Sequence, residues 1–285
     1  MRGRGRFFRW EEWQLVLPLG LFFVAFFLAP LLVLAAVSLF GDPGFRTHGV
    51  AEYRRVFFDT FTLGVLLGTL WLGVKATLVC LVFGYPLAWL CATGRPQLRR
   101  FLLFLVVLPI LTSVVVRTFA WIVILGRQGI LNKALAAVGA IDEPLRLLFS
   151  EFGVVMVLAQ VQMPLMVLPL LTTLERIDPN LADASAALGA GRWRTFRRVT
   201  LPLSLPGVAA GCILVYAACV TAFITQTLIG GARLLYMPLF IYQQATGAND
   251  WPFAAALSIV FMISVLLVVF LLNVMGRAKR AQVYA

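Results

Sequence analysis

The sequence predicts an all-α, polytopic membrane protein with six transmembrane helices and both termini in the cytoplasm, and three observations predict it. The first is composition. Of 285 residues, 61% are hydrophobic and 13% are charged, and mean hydropathy is +0.95. A water-soluble domain carries roughly 25% charged residues, so this chain cannot hide its apolar surface in a soluble core. Disorder, collagen, coiled coils and disulfide scaffolds go out on the same numbers. The second is length of run. Crossing a bilayer takes about 20 apolar residues, and six stretches suffice: 15–40, 61–91, 101–125, 152–174, 205–230 and 253–275. The third is where the cations lie. Segments 1–14, 92–100, 175–204 and 276–285 hold 15 Lys and Arg, against 7 in segments 41–60, 126–151 and 231–252. The positive-inside rule therefore puts the first set, and both termini, in the cytoplasm.

Taken in order, the tail 1–14 is followed by a six-helix domain over 15–275 and a tail at 276–285. The first run has a basic flank like a signal peptide, but its 26 residues far exceed the roughly 7–15 of a signal-peptide core, so it reads as an uncleaved span. The second opens with Gly64, Gly68 and Gly73, small residues that let helix backbones approach, and carries Lys75. The third carries Arg117 and Trp121. A cation inside a span costs roughly 2.5–3.5 kcal/mol and faces protein or water. Arg117 thus either lines a solute path or satisfies a backbone carbonyl or another subunit's carboxylate. In the fourth span Gln160 and Gln162 interrupt the apolar run, and Pro164 and Pro169 bend the helix and free carbonyls, which suits a cavity wall as well as ordinary packing. The fifth holds Tyr216, Thr221, Phe223, Thr225 and Gln226. The path candidates are therefore Arg117, Trp121, Gln160, Tyr216, Phe223 and Gln226.

The segment 175–204 between the fourth and fifth spans is no plain connector. Asp178-Pro179 is a helix start, a side-chain cap followed by proline at the first position. Leu181, Ala184, Ser185 and Leu188 then share one helix face, and Gly189 or Gly191 can end the helix in a left-handed conformation. A second amphipathic helix follows, with Trp193, Phe196 and Val199 on one side among Arg192, Arg194, Arg197 and Arg198, and Leu201-Pro202 with Pro206-Gly207 are read as stopping it and opening the fifth span. An apolar knob ringed by arginines either docks into a groove on another protein or lies on the anionic leaflet.

Other chemistries are excluded. Cys80, Cys91, Cys212 and Cys219 lie in or at the ends of apolar runs and read as small buried hydrophobes. His48 is the one histidine and sits in a loop, so zinc-protease, haem and membrane Ser-His sites have no ligands. No P-loop is present, since none of the lysines follows a glycine. A net charge of +12 would suit nucleic acid in a soluble protein, but these cations flank apolar runs and face lipid headgroups, so no nucleic-acid partner is expected. A secondary transporter would need intramembrane carboxylates and shows no inverted repeat here.

The run Asp183-Ala184-Ser185-x3-Gly189-x9-Val199-x-Leu201-Pro202 resembles the EAA-x3-G-x9-I-x-L-P motif of ABC importer permeases, with spacing matched over 20 positions. Asp, Ser and Val replace Glu, Ala and Ile. A narrower resemblance is to spermidine/putrescine-type permeases, carried by Arg117-Thr118-Phe119-Ala120-Trp121, Gly126-Arg127-Gln128-Gly129, Ile141-Asp142-Glu143-Pro144 and Leu174 through Pro179.

The resemblance implies a coupling helix in this loop, with Asp183, Ala184, Gly189, Trp193, Phe196, Leu201 and Pro202 as the residues that meet a cytoplasmic ABC ATPase dimer. It implies a second permease subunit, most simply in a heterodimer, and an extracytoplasmic solute-binding protein. ATP and Mg would be bound by the ATPase, leaving this chain without a cofactor or catalytic residue. The implied solute is small and polar, polyamine-like, while similar permeases carry phosphonates, opines or iron. Thr221-Ala222-Phe223 stands where polyamine permeases resemble Gly-Glu-Phe, so a cation would be held by aromatics such as Trp121, Tyr216 and Phe223, at about 0.5–2 kcal/mol each, or by carboxylates that a partner permease supplies.

Overall fold

The computed structural model describes residues 10–284 apart from 42, 43 and 45, with side chains from 17 onward except 182, 275 and 277–284. The first nine residues of the expected N-terminal tail lie outside the described residues. Helices dominate, with one isolated antiparallel bridge, Phe40 to His48. Among the described residues, six helical stretches are long and apolar enough to cross a membrane: Leu17–Val37, Thr60–Thr93, Val114–Ala137, Glu151–Leu174, Arg192–Val220 and Trp251–Val274, and the pair Phe223–Arg233 and Met237–Gly247, bent by 86°, passes the same test together.

The chain divides into two units, one of residues 1–59 with 241–260 and one of residues 60–240 with 261–285. In the first, α1 (Trp10–Phe23), a π turn (Val24–Leu28) and α2 (Ala29–Val37) form a continuous apolar rod. Its Phe22, Phe26, Phe27 and Leu32 are all exposed, as lipid-facing side chains are. A short α3 (Ala51–Phe58) follows. Arg55 organises the end of this unit: it pairs with Glu52 at 3.4 Å and Asp250 at 3.0 Å and stacks over Phe253 at 3.9 Å. Glu52 is buried, and burial, with Asp250 beside it, pushes its carboxyl above the usual range despite Arg55.

The second unit is built on three long helices. α4 (Thr60–Thr93) leads through Arg95 to α5 (Pro96–Val107), a 3-10 turn (Leu108–Leu111), α6 (Val114–Leu125) and α7 (Ile130–Ala137). α8 (Glu151–Leu174) then precedes the short α9 (Asn180–Ala187) and α10 (Arg192–Thr195). α11 (Leu201–Val220), α12 (Phe223–Gly230), α13 (Met237–Tyr242) and α14 (Trp251–Tyr284) complete the chain, α13 and α14 continuing into or from the first unit. α4 and α8 run parallel, with Lys75 against Glu151 and Cys80 against Ala159. α11 is antiparallel to both, with Tyr85 bonded to Ser204 at 2.9 Å. Leu72, Ala76, Cys80, Leu158, Met166, Leu170, Val215 and Cys219 fill the seam without exposure.

Lipid tails give helices no hydrophobic reason to associate, so close packing must hold them. It does so where glycines admit a neighbour. A Cβ on Gly84 would stand 2.8 Å from the Met166 Cγ, and one on Gly211 would stand 2.7 Å from its Sδ. Met166 is thus gripped from both sides. Gly73 likewise admits Val220 and Tyr216, whereas the Gly64–Gly68 pair faces open space within this chain.

Two expected spans are corrected. The run 101–125 is broken by the turn Leu108–Leu111 and extended backbone at Thr112, because Pro109 supplies no amide to a helix ladder. The crossing stretch on that part of the chain is Val114–Ala137. The run 205–230 is also two helices: α11 ends at Val220, Ala222 leaves helical backbone (ψ 69), and α12 starts again at Phe223. Gln226 makes this break tolerable, its Nε2 donating to the freed Cys219 and Val220 carbonyls at 2.7 and 3.1 Å. The expected tail 276–285 continues as helix to Tyr284.

Candidate functional site

The segment 175–204 forms two short helices, as its pattern predicts, held together as one piece. The first begins one residue later than expected, at Asn180, with Pro179 in the cap position. Asp178 still does the capping chemistry, its Oδ1 accepting from the Asn180 amide at 2.9 Å. At the other end Gly189 is the left-handed residue (φ 77). Its amide donates to Ala186 O at 2.9 Å and the Ala190 amide to Ser185 O at 3.1 Å. This is the paired-bond termination that a positive-φ glycine allows. The Ser185 and Thr195 hydroxyls, 2.6 Å apart, then lock α9 to α10.

Leu201-Pro202 does not stop the second helix. The chain runs as helix from Arg192 to Val220, passing through a π turn at Phe196–Thr200 in which the Leu201 amide reaches back to Phe196 O. Pro202 explains the wide turn: it has no amide to donate and its ring crowds the preceding turn. The second helix of the segment is therefore continuous with α11.

The apolar knob splits in two. Phe196 turns inward, its ring 5.8 Å from Tyr85 and 5.7 Å from Trp89 on α4. Trp193 stacks on Phe196 at 5.4 Å yet stays 72% exposed. Between α4 and the two short helices lies a cavity of about 830 Å³ whose walls include Trp89, Asp183, Ala190, Trp193 and Phe196. Asp183, Ala184 and Gly189 are exposed, and Leu201 and Pro202 half-buried. Leu188, read from sequence only as part of a helix face, is the most exposed large apolar side chain here, at 89%. Its place at the helix end, just before a left-handed glycine, was the signal available.

The path candidates fall into two groups. On α6, Trp121 Nε1 donates to Gln160 Oε1 at 3.1 Å. One turn earlier, Arg117 donates to Pro109 O at 2.5 Å and Thr112 O at 2.8 Å, carbonyls freed by the break before α6, while its Nε is buried without a partner among the described residues. The contact is to backbone, one of the two alternatives its position left open. Tyr216 lies in the three-helix seam against Gly73, 1% exposed, as is Gln226; the Tyr216 hydroxyl and Gln226 Oε1 have no hydrogen-bond partner among the described residues. Phe223 is half-buried at the start of α12. Lys75 forms an ion pair with Glu151 at 2.5 Å, a pairing that sequence separation hid.

Residues 81–280 match the family described as binding-protein-dependent transport system inner membrane component. The chain belongs to this family. It is 38% identical over 212 residues to the spermidine/putrescine transport system permease protein PotB of Salmonella typhimurium strain SL1344, covering 74% of each chain. The PotB of Haemophilus influenzae is 35% identical over 251 residues, 87% of each. Among solved structures, the bacterial alginate ABC transporter in complex with alginate pentasaccharide-bound periplasmic protein has a chain of the same fold, at TM-score 0.77 and 20% identity, over 95% of both chains. The protein is thus an ABC importer permease subunit, a multi-pass protein of the inner membrane.

Proposed function

We propose that this permease forms one half of the membrane pathway of an ATP-driven importer for a polyamine-like solute. Its loop 175–204 seats on a separate cytoplasmic ATPase, which binds the ATP and Mg. The single observation that carries the coupling role is the α9–α10 unit. Leu188 and Trp193 are exposed on a piece locked internally by the Ser185–Thr195 bond and continuous with α11. A push on that surface moves a membrane helix without being absorbed by a flexible joint. A second permease completes the core and an extracytoplasmic binding protein delivers the solute. Both termini lie in the cytoplasm on the charge count. The similarity to spermidine/putrescine permeases supports the solute class. A second reading, an anionic or zwitterionic solute, is favoured by Arg117, because the six runs supply cations and no carboxylate.

The test is a gentle-detergent pull-down from native membrane. A stoichiometric P-loop ATPase is expected with the wild-type chain and lost from Trp193→Ala, which removes a ring that is 72% exposed, with unchanged thermal unfolding of the variant as the control for folding. A chain that emerges alone, yet moves solute in liposomes without ATP, would refute the reading.

A further inference from the structure

Three arginines far apart in sequence line one cavity of about 370 Å³: Arg127 in the turn after α6, Arg146 ahead of α8, and Arg233 in the 3-10 turn after α12. Leu148 and Phe149 complete its lining, and no carboxylate does. All three side chains are exposed, and none forms an ion pair among the described residues. Asp142 and Glu143 are exposed on the same loop as Arg146 but do not line the cavity.

This convergence is built. Asn132, 2% exposed, ties the first two segments together. Its Nδ2 donates to Gly126 O and Leu145 O, each at 3.0 Å, and its Oδ1 accepts from the Leu145 amide at 2.9 Å. Every hydrogen-bonding capacity used there positions the neighbours of Arg127 and Arg146. The third segment is tied through Phe149, whose amide donates to Ile229 O at 3.1 Å. Phe149 sits in the left-handed region (φ 59), as does Gly231 (φ 61). A Cβ on Gly231 would stand 2.5 Å from the Phe149 ring. A bulky residue held at positive φ is costly and persists where its surroundings over-determine it. Like charges gathered round a small concavity repel, weakly where water reaches them, so side-chain hydrogen bonds and backbone strain hold an arrangement that an anion would complement.

We infer that this three-arginine cavity receives an acidic side chain of the extracytoplasmic binding protein. The inference rests on the importer reading above. The charge count places the loop after Ala137, with Arg146, and segment 231–252, with Arg233, outside the membrane, where a delivering protein must meet the permease, and the cavity brings Arg127, in the turn between α6 and α7, to the same place. A carboxylate on its short apolar stem matches the chemistry of the lining, with Leu148 and Phe149 taking the stem and the guanidiniums taking the oxygens in bidentate fashion. Charge pairing of this kind fixes register and speeds encounter.

The experiment measures the affinity of the solute-loaded cognate binding protein for the complete transporter in phosphatidylcholine nanodiscs, across a salt series. The triple variant Arg127→Gln, Arg146→Gln, Arg233→Gln is expected to bind at least about 30-fold more weakly, with a slower association rate and a flatter salt dependence. Its basal ATP hydrolysis and thermal stability are expected to stay unchanged, which separates docking from folding. Wild-type affinity in the triple variant would overturn the inference. So would a defect that appears only when phosphatidylglycerol is added, which would assign the cavity to a lipid headgroup. A wild-type transporter that binds no such protein would overturn the importer reading itself, a result distinct from normal binding shared by both forms.

Discussion

Replacing Gly189 isolates one physical effect. The residue sits at φ 77, and a Cβ added there would meet nothing within 4 Å. Gly189→Ala therefore brings no clash, only the torsional cost of a left-handed L-residue, about 1–2 kcal/mol. Part is offset because alanine also restricts the opened chain, by about 0.4–1 kcal/mol. The net of about 1 kcal/mol is a roughly fivefold shift toward an open turn between α9 and α10. Asparagine tolerates this conformation, so Gly189→Asn is expected to fall between wild type and alanine, and Gly189→Val, with its branched Cβ, below alanine. Hydrogen exchange at the Ala190 amide, bonded to Ser185 O at 3.1 Å, reads the opening directly, with about fivefold faster exchange in the alanine variant. ATP-driven uptake in proteoliposomes is expected to follow the same order, because the turn sets how Leu188 and Trp193 are presented together. Gly189→Asp adds a charge to that surface and is expected to lower uptake below what its backbone cost accounts for. Equal exchange and uptake in the alanine and asparagine variants would refute the argument from backbone conformation, and unchanged uptake in Gly189→Asp would refute the coupling role.

Arg117→Ala strips the Pro109 and Thr112 carbonyls of their donor. A loss of about 1–3 kcal/mol in thermal or denaturant stability is expected, with impaired uptake and preserved assembly; Arg117→Lys should restore part of both, and normal transport by the alanine variant would remove Arg117 from the path candidates. Gly211→Ala drives a methyl group into Met166 and is expected to cost about 1–3 kcal/mol of stability. Gly64→Ala and Gly68→Ala meet open space and should melt like wild type as isolated chains. Glu52, its carboxyl raised by burial and by Asp250, binds its proton more tightly folded than unfolded. Its contribution is fully present below the unfolded pKa and is lost as pH rises through the folded pKa. Glu52→Gln is therefore expected to flatten the gain in stability that the wild-type chain shows on acidification, measured by thermal unfolding over a pH series.

Much of the site was legible in the residues themselves. Leu181 through Leu188 at helical spacing, then Gly189, specify a short helix ending in a left-handed turn, and the structure places that turn at Gly189. Trp193 and Phe196 are both flanked by arginines, so the split between them, with Trp193 exposed and Phe196 packed on Tyr85 and Trp89, was not legible in the residues. Pro202 was misread as a stop because a missing amide forbids a regular turn but permits a wider one. The Gly64–Gly68 pair satisfied a packing pattern, yet the helix seam uses Gly73, Gly84 and Gly211. Spacing identifies where a backbone can be approached, and the neighbour that approaches comes from elsewhere in the chain.

The residues alone specify the class of solvent, the number of apolar runs and the kind of turn within 175–204. These depend on transfer free energies and local backbone preferences, which each residue carries with it. Helix packing decided that Lys75 meets Glu151, that Gly73, Gly84 and Gly211 take the close approaches, and that Arg127, Arg146 and Arg233 share a cavity. Those outcomes depend on which distant groups the helix packing brings within hydrogen-bonding or Coulombic reach, a quantity that has no local signature along the chain.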